Sequence, residues 1–126
     1  MARPRKAAGA LRLRGRVWVE LGNASALTEA AADLLEQILA CGSLSEAARR
    51  LRFSYRRAWM LIDALNRRWP RPLVAKATGG RRGGGSTVTA LGQSVLGAYR
   101  DLQLHVESLL DRQHRHFSAQ IRPALV

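Results

Sequence analysis

The sequence predicts a mostly α-helical domain with a small β-sheet, and three observations support this fold class. Apolar residues recur at three- and four-residue spacing in several stretches, which is typical of amphipathic helices. Near the N terminus, apolar and charged residues alternate instead, which favours a strand. A glycine-rich segment flanked by two short extended runs indicates a β-hairpin before the last helix. The length of 126 residues suits one modest hydrophobic core.

Positive charge dominates the composition. The chain has 21 Lys and Arg residues against nine Asp and Glu, and its formal net charge is +12. Eleven of the basic residues lie between Ser45 and Arg82, where the only acids are Glu46 and Asp63, so this segment alone carries +9. A field of this strength predicts a polyanionic partner, and nucleic acid is the commonest one.

The N-terminal third combines a tail, a strand and a helix. We expect residues 1–10 to form a disordered basic tail. From Leu11 to Leu21 the odd positions are mainly apolar and the even positions mainly charged, which predicts a half-buried strand with Gly15 as a possible bulge. A helix then runs to about Ala40 and stops at Gly42. Its candidate caps are Asn23, Ser25 and Thr28, and its predicted inner face is Leu27, Ala31, Leu34, Leu35 and Ile38.

Residues 42–69 predict two helices joined by a tight turn. Ser43 or Ser45 caps the first helix, and Glu46 follows Ser43 at capping-box spacing. Ser54 caps the second helix, whose buried stripe is Ala58, Ile62, Leu65 and Trp69. The opposite face carries Arg56, Met60, Asp63 and Arg67. A helix that is apolar behind and carries arginines in front is suited to a DNA major groove, so this stretch predicts a helix-turn-helix.

A β-hairpin is predicted after this motif. Pro70 and Pro72 end the second helix, and the runs 73–76 and 87–88 are extended. Between them, residues 77–86 are rich in glycine and place Arg81 and Arg82 at the tip. A phosphate-binding loop is the alternative, but no Gly-Lys-Ser/Thr follows and the loop leads into a strand. We therefore interpret this segment as a wing that approaches the DNA backbone.

Thr89 caps a long helix, which we expect over residues 90–116, with residues 117–126 as a flexible C terminus. Its apolar stripe follows a 4-3-4-3-4 spacing and is longer than a small domain can cover, so it predicts a homodimer. The predicted dimer residues are Leu91, Val95, Ala98, Leu102, His105 and Leu109.

The order of these elements is that of a winged helix, and four motifs carry a closer resemblance. They are Gly42-Ser43-Leu44-Ser45, Ser54-Tyr55-Arg56-Arg57-Ala58-Trp59, Ala77-Thr78-Gly79-Gly80-Arg81-Arg82-Gly83-Gly84-Gly85 and Leu91-Gly92-Gln93. Together they resemble the N-terminal DNA-binding domain of ModE-type, molybdate-dependent transcriptional regulators, which is related to the LysR-type domain. The resemblance covers roughly residues 11–112 and does not include the C-terminal molybdate-binding domains, so it implies DNA binding and dimerisation but no signal. Arg52 stands where the family usually has glycine.

The resemblance and the helix-turn-helix motif together predict how the chain is organised and which residues contact DNA. Residues 11–89 form the winged helix-turn-helix and residues 90–116 the dimerisation helix. The candidate DNA-binding residues are Ser43, Ser45, Ser54, Tyr55, Arg56, Arg57, Met60, Arg67, Arg81 and Arg82. Arg56 is placed to reach guanine, Arg57 is as well suited to a phosphate, and Arg81 and Arg82 are expected at a flanking minor groove. Tyr55 has two open roles, contact with a phosphate or sugar and packing.

The sequence leaves one alternative function open and argues against several others. His105 and His116 share a face of the last helix, with Asp101, Glu107 and Asp111 nearby, so a metal-sensing winged-helix repressor is the alternative. Enzymatic activity, an RNA-binding role and a membrane segment are not expected, and no cofactor is implied. The lone Cys41 excludes an intrachain disulfide, and we expect a cytoplasmic protein that binds double-stranded DNA. A separate effector-binding partner stays open.

Overall fold

The computed structural model describes residues 10–76 and 85–125. Their elements are β1 (Val19–Leu21), β2 (Ala24–Leu27), α1 (Glu29–Cys41), α2 (Leu44–Arg50), α3 (Tyr55–Arg68), β3 (Val74–Lys76), β4 (Ser86–Val88) and α4 (Ala90–Leu125). The predicted fold class, mostly α with a small β content, is confirmed. The β content of the described residues is divided between two separate antiparallel pairs, β1 with β2 and β3 with β4.

The prediction of a strand over residues 11–21 is wrong for most of that stretch. Only Val19–Leu21 of this stretch is a strand, and it pairs with β2, a region where the sequence predicts helix caps. A strand needs a hydrogen-bonded partner along its length, and β2 has only four residues before Thr28 begins α1. The irregularity in register falls between Val19 and Glu20 rather than at Gly15.

The first three helices begin and end where local signals place them. Thr28 caps α1 by accepting a hydrogen bond from the backbone N–H of Ala31 at 3.2 Å. Gly42 ends α1 in the left-handed conformation, with φ of 68°, and its N–H bonds to the carbonyl of Ile38 at 2.7 Å. Ser43 caps α2 and Ser54 caps α3. Each cap satisfies a backbone donor that the first helical turn leaves unpaired.

The larger of two units, Val17–Leu102, contains the hydrophobic core. Four predicted inner residues of α1 (Ala31, Leu34, Leu35 and Ile38) and the α3 residues Ala58, Ile62 and Leu65 are buried there. Leu27, which was predicted on the same helix face, is also buried but belongs to β2. Trp69 is half-buried and its indole N–H donates to the carbonyl of Ala26 at 2.9 Å. From α4, Leu96 and Tyr99 are buried in the same core.

Tyr99 and Arg100 make polar contacts that tie α4 to the rest of this unit. Tyr99 donates a hydrogen bond of 2.6 Å to the carbonyl of Val17, and burial raises the pKa of its hydroxyl. Arg100 pairs with Asp33 at 2.7 Å and with Glu36 at 3.3 Å. The negative charge of α1 is therefore used to hold α4.

The smaller unit contains the two ends of the chain, of which residues 10–16 and 103–125 are described. A Cβ atom on Gly15 would lie 3.3 Å from Leu110, and the ring Nε2 of His114 lies 2.8 Å from the carbonyl oxygen of Leu11. We expected the helix to end near residue 116, but it continues to Leu125. No glycine or proline interrupts the sequence between Gly97 and Pro123, so nothing in that stretch breaks the helix.

Candidate nucleic-acid interface

The turn between α2 and α3 contains a residue in a conformation that usually requires glycine. Arg52, which stands where the resembling family usually has glycine, has φ of 58°. The backbone N–H of Arg52 donates to the carbonyl oxygen of Arg49 at 3.1 Å, and the N–H of Phe53 donates to the carbonyl oxygen of Ala48 at 2.9 Å. These bonds close the turn tightly, and they offset a left-handed residue that costs about 1–2 kcal/mol.

The serines predicted to contact DNA lie at the N termini of α2 and α3. The hydroxyl oxygen of Ser43 accepts from the N–H of Glu46 at 3.2 Å and lies 3.1 Å from that of Ser45. The hydroxyl oxygen of Ser54 accepts from the N–H of Arg57 at 3.1 Å. A helix N terminus favours an anion, since its N–H groups point outward and its dipole is positive there.

The outward face of α3 is exposed and basic. Arg56 and Arg67 are exposed, and Met60 is 55% exposed between them. Arg67 pairs with Asp63 at 3.0 Å, one helical turn away. Arg56 makes no ion pair with any residue that the structure describes. Its guanidinium is therefore the most available cation of this face.

Arg57 is held differently from Arg56. Its guanidinium lies over the ring of Phe53, 4.1 Å from the centroid. Stacking of this kind fixes the guanidinium plane while its N–H edges remain able to bind a phosphate or a base. On α2, Arg49 and Arg50 pair with Glu46 at 2.8 and 3.4 Å, and the hydrogen bonds from Arg49 lower the pKa of that carboxyl.

Two exposed aromatic residues extend the surface of α3, and one of them was missed. Tyr55 was a candidate contact, but Trp59 was not, although it is 52% exposed. Trp59 follows Tyr55 by four residues, so the two side chains lie on the same side of the helix. The exposed side chain of Trp59 could not be predicted, because the apolar periodicity of α3 does not show how far the core extends around the helix.

Asn66 fastens the β3–β4 hairpin to α3. Its side-chain oxygen accepts from the N–H groups of Leu73 and Val74 at 2.9 and 3.2 Å, and its amide donates to the carbonyl of Val74 at 3.0 Å. Asn66 lies seven residues after Trp59, and therefore near the same side of the helix. The hairpin strands are confirmed as predicted, whereas Arg81 and Arg82 lie outside the described residues.

The predicted dimer residues differ in exposure along α4. In the larger unit, Leu91 and Val95 are half-buried against the core, whereas Ala98 is exposed and Leu102 is 43% exposed. In the smaller unit, His105 and Leu109 are exposed. Of the predicted dimer residues, Leu91 and Val95 are thus partly covered by the core, whereas those from Ala98 onward are exposed.

The described residues contain no group of three or more His, Cys, Asp or Glu side chains that could hold a metal ion. The metal-sensing alternative, based on His105 and His116, thus gains no support from their placement. No helix in the described part of the chain is long and apolar enough to cross a membrane.

Sequence comparisons show that the chain is similar to part of several proteins named ModE. It is 38% identical over 103 residues to the molybdenum transport protein ModE of Azotobacter vinelandii, a match that covers 82% of this chain and 38% of the relative. The transcriptional regulator ModE of Haemophilus influenzae is 37% identical over 83 residues, which are 66% of this chain and 29% of that protein. The DNA-binding transcriptional dual regulator ModE of Escherichia coli K12 is 39% identical over 67 residues, which are 53% of this chain and 26% of the relative.

These alignments cover far less than two thirds of each relative, so the chain spans only part of the proteins to which it is similar. No family model matches the chain. Two of these relatives are named as transcriptional regulators, and the name of one of them includes DNA binding.

Proposed function

We propose that this chain, as a relative of the ModE proteins, is a sequence-specific regulator of transcription that binds double-stranded DNA as a homodimer in the cytoplasm. The observation that carries the proposal is the outward face of α3, where Arg56, Met60 and Arg67 are exposed while Ala58, Ile62 and Leu65 anchor the helix in the core. A helix 14 residues long that is held in this way is suited to the major groove.

The two caps and the hairpin have supporting roles in this proposal. Ser43, Ser45 and Ser54 present hydroxyl and N–H groups to phosphates, which sets the position of α3 on the duplex. The β3–β4 hairpin acts as the wing, and its loop with Arg81 and Arg82 contacts the flanking backbone or minor groove. Arg56 reads a guanine, because a guanidinium bonds to O6 and N7 of that base together.

The test combines a selection with a salt titration. Purified protein selects its preferred duplex from a random pool, and fluorescence anisotropy then measures affinity for that duplex and for a scrambled one. We expect a preference of at least tenfold for the selected duplex. We also expect the logarithm of the association constant to fall with the logarithm of salt by about 0.9 for each phosphate neutralised.

Two results would contradict the proposal. Equal affinity for the selected and the scrambled duplex would remove sequence specificity. Affinity that barely changes with salt would remove the electrostatic argument, because the excess positive charge between Ser45 and Arg82 would then meet no phosphates. A double-stranded RNA of the same sequence serves as a competitor, and it should compete no better than the scrambled DNA.

A further inference from the structure

An open groove of about 440 Å³ runs along one flank of α3, and the fold accounts for its shape. Its lining residues are Ser54, Arg56, Arg57, Met60, Leu61 and Ala64. Met60 forms a flexible, exposed wall, half-buried Leu61 lies deeper, and Ala64 leaves open the space that a longer side chain would fill one turn after Met60. The guanidinium of Arg57 is held in place by stacking on the ring of Phe53.

The groove combines an apolar interior with a cationic rim. Thioether, leucine and alanine side chains offer no hydrogen-bonding group apart from the weakly accepting sulfur of Met60, while Arg56 and Arg57 lie beside them. A complementary partner must therefore present an apolar group that is surrounded by negative charge. The major groove of DNA meets this requirement, because the C5-methyl group of thymine projects into it between two phosphate backbones.

We propose that the groove lined by Met60, Leu61 and Ala64 receives the C5-methyl group of a thymine in the target duplex, close to the base that Arg56 contacts. The inference rests on the proposed function and adds a second mode of readout to it. Arg56 recognises hydrogen-bonding groups, whereas the groove recognises an apolar group. The preferred duplex therefore contains a thymine at a fixed distance from the guanine.

The experiment removes the methyl group alone. Each thymine of the selected duplex is replaced in turn by deoxyuridine, which keeps every hydrogen-bonding group of the base. We expect replacement at one or two positions per half-site to weaken binding about fourfold, as expected for the loss of one buried methyl-sized group. Replacement elsewhere should leave the affinity unchanged.

A protein variant assigns the effect to the groove. Met60→Gln keeps the length and the helix propensity of the side chain but makes the groove wall polar. In this variant, the duplexes with thymine and with deoxyuridine at the sensitive position should bind equally. The matched control is Leu39→Gln on α1, since Leu39 is similarly exposed at 50% and lies outside the groove. The control should retain the fourfold difference.

The outcomes separate this inference from the proposed function. If the protein prefers its selected duplex but no deoxyuridine replacement weakens binding, the groove does not read a methyl group and the inference is wrong. The same holds if Met60→Gln retains the full difference, because the methyl group is then read elsewhere. If no duplex is preferred over a scrambled one, the proposed function itself fails and this inference fails with it.

Discussion

Individual arginines differ in how freely they can meet DNA, although all carry the same charge. Arg67 is paired with Asp63, and Arg49 and Arg50 share Glu46. Arg57 is stacked on Phe53, and Arg56 makes no ion pair among the described residues, in contrast to Arg67 on the same outward face of α3. Exposed ion pairs are weak because water screens them, so the paired arginines can exchange their partners for phosphates at small cost.

Arg56→Ala tests whether Arg56 is the arginine of α3 that contacts a base. We expect the variant to lose about 1–3 kcal/mol of binding free energy at one base position and to relax the sequence preference there. Arg112→Ala, which removes an exposed arginine from α4, is the control and should leave the preference unchanged. The measurement is the affinity of each variant for a set of single-base substitutions in the selected duplex. An equal loss at every sequence would show that Arg56 contacts phosphate instead.

Among the secondary-structure elements, the start of α4 is the most tightly constrained. Thr89 caps the helix by accepting from the N–H of Gly92 at 3.0 Å, and its hydroxyl donates to the carbonyl of Pro72 at 2.8 Å. Gly92 is buried, and a Cβ there would overlap the carbonyl oxygen of Leu73, the residue before β3, and lie 2.7 Å from a methyl group of Val88 in β4. This contact joins the hairpin to α4 and so helps to position the hairpin.

Two glycines of α4 provide a matched pair of substitutions. Gly92→Ala should destabilise the protein by about 1–3 kcal/mol, since the added methyl group forces the helix away from β3. Gly97→Ala should stabilise it by roughly 0.5–1 kcal/mol, because a Cβ at Gly97 meets nothing within 4 Å and alanine favours the helix. Urea unfolding followed by circular dichroism measures both values. Similar effects for the two variants would contradict the close packing at Gly92.

For the whole molecule, the proposed dimer depends on the part of α4 that the core leaves uncovered. Ala98, Leu102, His105 and Leu109 recur at a 4-3-4 spacing and lie on one side of the helix. Leu104 is even more exposed, at 62%, but lies about 200° around the helix from Leu102. A second copy that covers the first side would place two α3 helices on one duplex, so we expect a palindromic target.

Leu102→Asp should convert the dimer to a monomer at micromolar concentration, because it places two carboxylates in the buried seam. Leu104→Asp is the control and should sediment as the unchanged protein does. Analytical ultracentrifugation distinguishes the two. If the unchanged protein is already a monomer, or if both variants behave alike, the seam does not mediate dimerisation. The monomeric variant should also bind the selected duplex more weakly, since it engages one half-site at a time.

The class of fold, most limits of the first three helices and the basic face of α3 could be predicted from the residues alone. These features depend on contacts within a few residues. Thr28, Ser43 and Ser54 cap backbone groups three positions away, Gly42 adopts its own left-handed conformation, and the buried stripe of α3 follows from the helical repeat.

The other features could not be predicted, because they depend on contacts between residues that are distant in sequence. The segment 24–27 becomes a strand only because β1 pairs with it, and Asn66 becomes the anchor of the hairpin only where Leu73 and Val74 return to it. The wide apolar stripe of α4 does not indicate which of its edges enters the core; packing places Leu96 and Tyr99 inside and leaves Ala98 and Leu102 exposed. Periodicity reports the side of a helix that is apolar, whereas the neighbours that cover it are set by the path of the whole chain.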